Sequence, residues 1–265
     1  MYTKRGRGFA SAILASAIGA LLCAAAAFAG AVVADVEGDV RVAAADGKAR
    51  AIVPGQRVEP GSLVTTAVAA RVTLHFDDGM WAALHENSRL RIEGFRYLQQ
   101  EPAADRAAFE LLRGALRVVT GALGRRNPEA FELRTPDLNI GIRGTDFLVA
   151  IENRSYLSVL EGRVAATNAG GSATFGAGDF AAAADASTPA AAIQASALPV
   201  AVTSVFGRLG ALRLAPPAPS GAAGKAAPAE DARARELSDS LGRDQGRDAS
   251  GAARERAREL KPRPK

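Results

Sequence analysis

Between residues 32 and 180 apolar and polar positions alternate in short runs, each separated from the next by turn residues. Period-two alternation puts one face of each run on a core, and the β-branched residues within the runs favour strands. Asp78-Gly79 marks the clearest hairpin, joining Val72, Leu74 and Phe76 to the strand that carries Trp81. Asp-Gly takes the positive-φ turn that matches the twist of paired strands. Further on, Phe147, Val149 and Ile151 alternate with Asp146, Leu148 and Ala150, a strand with at least one buried face. Arg113-Gly114 and Glu161-Gly162 punctuate two more apolar stretches. Glu37-Gly38-x-Val40 returns as Glu161-Gly162-x-Val164, as stacked or paired β units of similar shape would produce. The pattern predicts an all-β domain over 32–180, built of short strands in a sandwich- or solenoid-like module.

Two departures from alternation set the borders. Gln99 to Arg106, with Gln-Gln-Glu-Pro and small residues, reads as a surface loop. Residues 181–215 form an alanine-rich segment of little periodicity until Val202, Val205, Phe206, Leu209 and Leu212, which fall on one stripe of a short helix. That stripe is expected to pack back on the β region. Residues 216–265 are rich in Pro, Gly, Ala and charge. Such a segment buries too little apolar surface to offset the entropy of ordering, so it reads as a disordered tail.

The start of the chain carries Lys4, Arg5 and Arg7, then no charge until Asp35. An alanine-rich apolar run follows, and Ala27-Phe28-Ala29 supplies a small-x-small cleavage site. Residues 1–29 therefore read as a secretory signal peptide cut near Ala29. An uncleaved anchor is the competing reading, because the uncharged run is long enough to span a bilayer. Cys23 is the one cysteine, so after cleavage the chain has no thiol, disulfide or cysteine–metal chemistry. A periplasmic protein with no integral span after cleavage is the expectation.

Charge changes the picture less than the pI near 9.8 suggests. The first 29 residues hold three basic residues, and the tail holds eleven basic and eight acidic ones. The body between them has nineteen basic and twenty acidic residues. A body that is nearly neutral offers no basic face to neutralise phosphates, which argues against a nucleic-acid partner.

The densest sequence is Thr135 to Val149, T-P-D-L-N-I-G-I-R-G-T-D-F-L-V. Paired glycines inside a strand mark a bend, a bulge or close backbone approach. Arg143 lies between Ile142 and Gly144, and we expect its guanidinium to be half buried, with Asp137 or Asp146 as the ion-pair partner. Gly141, Arg143, Gly144, Thr145 and Phe147 are the candidate site residues, structural or recognitional. This stretch resembles the G-x-R-G-T-x-F signature of the FecR family of bacterial envelope proteins. Val36–Val42, Val53–Thr66, Arg71–Gly79, Leu112–Val118 and Leu160–Val164 fall in the family's order, so the resemblance covers about half the chain. It implies a periplasmic all-β module. In regulators of this type a cytoplasmic segment controls a sigma factor. Only a handful of residues precede the apolar run here, so that activity is not expected to carry over.

Catalytic signatures are weak. His75 and His85 flank the Asp78-Gly79 turn with Asp77 nearby, but no third ligand stands in motif spacing. His85-Glu86 lacks the second histidine of zinc hydrolases, there is no Gly-x-Ser-x-Gly elbow, and Gly170-Gly171 lacks the Gly-Lys-Ser/Thr of a phosphate loop. Neither catalytic nor metal residues are assigned, and no cofactor is implied. The reading is a non-catalytic exported envelope protein that binds, senses or scaffolds an envelope protein or cell-wall component. The alternative is a periplasmic hydrolase or metal-dependent enzyme whose residues converge only in the fold.

Overall fold

The computed structural model describes residues 30–44 and 47–214. Residues 1–29, read from sequence as a signal peptide holding Cys23, and residues 216–265, read as a tail, lie outside the described residues. In chain order the strands are β1 (Ala31–Glu37), β2 (Val40–Ala43), β3 (Ala49–Ala51), β4 (Arg57–Val58), β5 (Leu63–Thr66), β6 (Arg71–Phe76), β7 (Trp81–Leu84), β8 (Arg89–Arg96) and β9 (Arg106–Val119). A one-turn helix α1 (Ala122–Arg126) precedes β10 (Phe131–Arg134), β11 (Asn139–Ile151), β12 (Ser155–Asn168), β13 (Gly171–Gly176), β14 (Phe180–Ala183), β15 (Ala191–Ile193) and the helix α2 (Val200–Gly210).

All fifteen strands hydrogen-bond into one continuous sheet that folds over on itself. The fold-over is made by three long strands that each serve two layers. The first half of β9 pairs with β8 and β10, and its second half with β7 and β11. In β11 the first half pairs with β10 and the end of β12, the second half with β9 and the start of β12. β12 then takes β14 beside its start and β13 beside its end. An upper layer therefore runs β4-β1-β6-β7-β9-β11-β12-β14-β15, and a lower one β3-β2-β5-β8-β9-β10-β11-β12-β13. This is the sandwich of the sequence expectation, with strands that switch sheets at the corner.

The corners fall at Gly114 in β9, Gly144 in β11 and Gly162 in β12, all at positive φ. Gly162 shows why the residue must be glycine. At φ +79° a Cβ would be strained, and it would strike the Gly144 carbonyl oxygen of the neighbouring corner. Gly38, between β1 and β2, has the same sign of φ and abuts Ala70 in the same way. The recurring Glu-Gly-x-Val is thus a repeated corner, one at each side of the sandwich.

Between the layers lies the core. Val33, Leu74, Phe76, Val118, Phe147 and Val159 from above meet Val42, Ile92, Phe109, Leu133, Ile140 and Val164 from below. A chain of rings, Phe76–Phe109–Phe131–Phe147, crosses it at centroid separations of 5.4, 5.8 and 6.4 Å. Fully burying one such ring contributes roughly 1.5–3 kcal/mol. A second apolar cluster sits on the outer side of the upper layer, where Ala83, Ala115, Leu148, Ala150 and Tyr156 receive Val202, Phe206 and Leu209 of α2. The helical stripe does pack back on the β region. β7, β9 and β11 are therefore buried on both faces.

Local details follow from partner geometry. Asp78 turns the hairpin and then caps the next element: its carboxylate accepts N–H bonds from Met80 at 2.9 Å and Leu123 at 3.1 Å. The 99–106 loop is tied down by Arg126, which donates to Leu98, Gln99 and the buried Asp105. No helix among the described residues is long and apolar enough to cross a membrane.

Candidate functional site

The corner divides the Gly141–Phe147 motif into two kinds of residue. Gly144 makes the turn, Thr145 is buried, and Phe147 lies wholly within the core. Thr145 exchanges hydrogen bonds with Thr120: its N–H donates to the Thr120 hydroxyl at 3.0 Å, and that hydroxyl lies 2.9 Å from its own. The Thr120 N–H donates in turn to the Thr145 carbonyl at 2.8 Å. These contacts lock the end of β9 to the β11 corner. Gly141 and Arg143 do none of this. Alternation along the first half of β11 sends Ile140 and Ile142 to the core and leaves Gly141 and Arg143 on the outer face of the lower layer.

On that face is an open groove of about 660 Å³. Its floor is made of small side chains: Gly141, Ala165 directly opposite it on β12, and Thr174 opposite Ala165 on β13. One bank carries Asn139 and its cross-strand neighbour Thr167; the other carries Arg143 and its neighbour Arg163. Glu129 and Glu132 close the end towards β10, where Glu132 accepts the Asn139 amide at 2.9 Å. A Cβ at Gly141 would meet nothing within 4 Å. Glycine is therefore not required there by the backbone, and its effect is to leave the floor open.

The half-buried, ion-paired Arg143 of the sequence reading is corrected here. Arg143 is exposed, and no ion pair joins it to either proposed carboxylate. The Asp137 carboxylate accepts the Ser155 N–H and hydroxyl, both at 2.8 Å. Asp146 instead pairs in two-point fashion with Arg117 of β9, at 2.9 and 2.6 Å. The reason is the corner: Arg143 and Asp146 lie on opposite sides of Gly144, hence in different layers. Arg117 is the buried guanidinium of this fold. Its third nitrogen donates to the carbonyls of Leu209, Gly210 and Leu212 at 3.0, 3.1 and 2.9 Å, capping the end of α2.

The remaining candidates do not converge. His75 stacks on Trp81 at 4.2 Å, whereas His85 lies beyond the far end of the same hairpin, next to Arg208 of α2. Burial pushes the His85 imidazole below its ordinary value, and Arg208 and Arg71 add to that against Glu86. Burial raises the Asp78 carboxyl against the lowering effect of its backbone N–H donors. Ser155 is held by Asp137 and lies 2.9 Å from the Thr135 hydroxyl, a network of acceptor and hydroxyls without an imidazole. Trp81 and Phe76 are both buried.

Sequence reading missed Arg163. Only the β11–β12 register, closed across the loop between them, sets it opposite Arg143. It missed Arg117 for the same reason, since its carboxylate lies 29 positions away and its helix carbonyls more than ninety.

Comparison with known proteins gives a match to the family described as "FecR protein" over residues 62–165. That span holds the three sheet-switching strands up to the second half of β12, with the Arg143–Arg163 pair. No curated protein matches the chain. Crystal structures of a "putative anti-sigma factor" from Parabacteroides distasonis ATCC 8503 align with 50% of this chain at 14% identity and a TM-score of 0.41. The chain spans 59% of the length of that protein. A structure described as "Cell surface anchoring domain" aligns with 23% of this chain and 80% of its own, at 26% identity and a TM-score of 0.23.

Proposed function

We propose that this chain, which matches the FecR family over residues 62–165, is a non-catalytic exported envelope protein with a regulatory or sensing role that binds another envelope component through the outer groove of the lower layer. One observation carries the reading. Of the five motif residues, Gly144, Thr145 and Phe147 are committed to the corner and core, while Gly141 and Arg143 open onto the groove. A motif that served folding alone would have no use for an unobstructed glycine beside an exposed arginine. The periplasm is the compartment this reading assigns, after removal of residues 1–29.

The test is affinity capture from an envelope fraction with the tagged full-length chain, run beside Gly141→Trp. The indole fills open space at an ordinary backbone conformation, so the fold is expected to survive, as a melting curve will check. Loss of the captured component with an unchanged melting temperature supports the reading. Equal capture by both forms places binding elsewhere. Intact-mass analysis of the exported protein should give a chain starting near Gly30; full-length chain in the membrane pellet would favour the anchor instead.

A further inference from the structure

We propose that the groove is a site for an extended acidic peptide segment, with a carboxylate of the peptide gripped between Arg143 and Arg163. The inference rests on the groove reading above and names the chemistry of its occupant. Arg143 and Arg163 are directly opposite in the β11–β12 register, so two permanent positive charges stand side by side on adjacent strands. Like charges so placed repel and lower stability. Four other arginines are relieved by nearby acids, in Arg57–Asp77, Arg71–Asp35, Arg91–Glu110 and Arg134–Glu93. The β8–β9 pairs Arg89–Arg113 and Arg96–Arg106 are opposed in the same way, but neither lines the groove. Neither Arg143 nor Arg163 has an ion-pair partner among the described residues. Two planar donor forks on one bank of the groove suit the two oxygens of a carboxylate, which is the geometry guanidinium favours.

The shape of the groove selects a chain rather than a small anion. Its floor runs across strands from β10 to β13, a span of roughly 14 Å at about 4.8 Å per strand, the length of about four extended residues. The floor residues Gly141, Ala165 and Thr174 are too small to obstruct a backbone laid across them. Along the other bank Asn139 and Thr167 offer amide and hydroxyl groups for peptide N–H and C=O. Glu129 and Glu132 at the β10 end repel a second carboxylate, so the acidic residue must enter from the β12–β13 side. No aromatic ring is exposed on the floor, since Phe131 is buried, and a flat stacking platform for sugars is therefore missing among the described residues.

The experiment uses the full chain with a fluorescein-labelled Gly-Gly-Glu-Gly-Gly peptide and its Gln counterpart, read by anisotropy at 50 and 300 mM salt. The Glu peptide should bind at least tenfold more tightly than the Gln peptide and weaken with salt. Arg143→Gln and Arg163→Gln should each lower its affinity about tenfold, while Arg134→Gln, outside the groove, leaves it unchanged. Relief of the opposed charges should leave the melting temperature of Arg163→Gln equal to or above that of the natural chain. Equal binding of the two peptides, or indifference to both groove arginines, overturns the proposal. If Gly141→Trp abolishes envelope capture while the arginine variants bind the Glu peptide normally, the groove binds its partner without this clamp. If Gly141→Trp changes nothing either, the groove reading itself has failed.

Discussion

On the outer face of the upper layer Ala83, Ala115, Leu148, Ala150 and Tyr156 are covered by α2, and the arginine standing among them, Arg117, is spent on Asp146 and three helix carbonyls. On the outer face of the lower layer Asn139, Gly141, Arg143, Arg163, Ala165 and Thr174 stand around an open groove, and no described helix lies over them. The two faces share strands β11 and β12, on either side of the corners. The difference lies in what alternates with the core residues. Apolar neighbours give a face that must be covered to keep water away, and the chain supplies its own cover. Small and charged neighbours give a face that stays solvated, where an arginine without a partner is available to something else. An arginine in a sequence motif can therefore belong to either class, and only the pairing of strands tells which.

The largest expected effect breaks the covered face. Arg117→Ala leaves the part-buried Asp146 without its partner and uncaps α2, at a cost of up to about 3–5 kcal/mol. A thermal melt should drop by many degrees, and helical circular dichroism should fall with it. If the melt hardly moves, α2 is held by its apolar stripe alone.

The second prediction sets two glycines of the same region against each other. Gly162→Ala forces a side chain onto the Gly144 carbonyl at a positive φ, a strain on the order of 1–3 kcal/mol. Gly141→Ala meets open space and should be neutral, or stabilising by about 0.4–1 kcal/mol through the unfolded chain. Denaturant midpoints for the pair check this. Equal losses at both positions would mean that the groove floor is packed rather than open.

The smallest effect is a pH dependence on the covered side. His85 sits by Arg208 of α2, and its imidazole lies below the ordinary value of 6.5 because burial disfavours the charged ring. The folded state then binds fewer protons than the unfolded one. The stability this confers is full above about 6.5 and is lost as the pH falls through the lower folded value. Melting from pH 7.5 to 5 should show the natural chain losing ground relative to His85→Gln. Parallel curves would show that His85 is solvated in the fold.

Much of this architecture is legible in the amino-acid order. The Asp78-Gly79 hairpin, the β11 alternation and the stripe of α2 each rest on neighbours within a few residues, where period and turn chemistry are decisive. The two strands β14 and β15 are different: in Ala-Ala-Ala runs both faces look alike, so no period exists to read. The site was half legible. Gly141 and Arg143 stood out by type, but their exposure depends on Gly144 being a corner, which reverses the environment within two residues. The reading that gave Arg143 an ion-pair partner allowed a bend or bulge at the glycines but not a change of layer, and Asp146 belongs to the other layer. Arg163 and Arg117 gain their meaning from pairings made by the whole sheet, and no local pattern announces them.

The contrast between the two arginine environments is open to direct chemical measurement. Brief treatment of the folded full-length chain with phenylglyoxal, followed by peptide mass spectrometry, reports how accessible each guanidinium is. Arg143 and Arg163 should be modified early, while Arg117, at 10% side-chain exposure and fully hydrogen-bonded, stays protected until the protein is unfolded. Protection of Arg143 to the same degree as Arg117 would contradict the account, because the motif arginine would then be part of the fold and the groove would not present it.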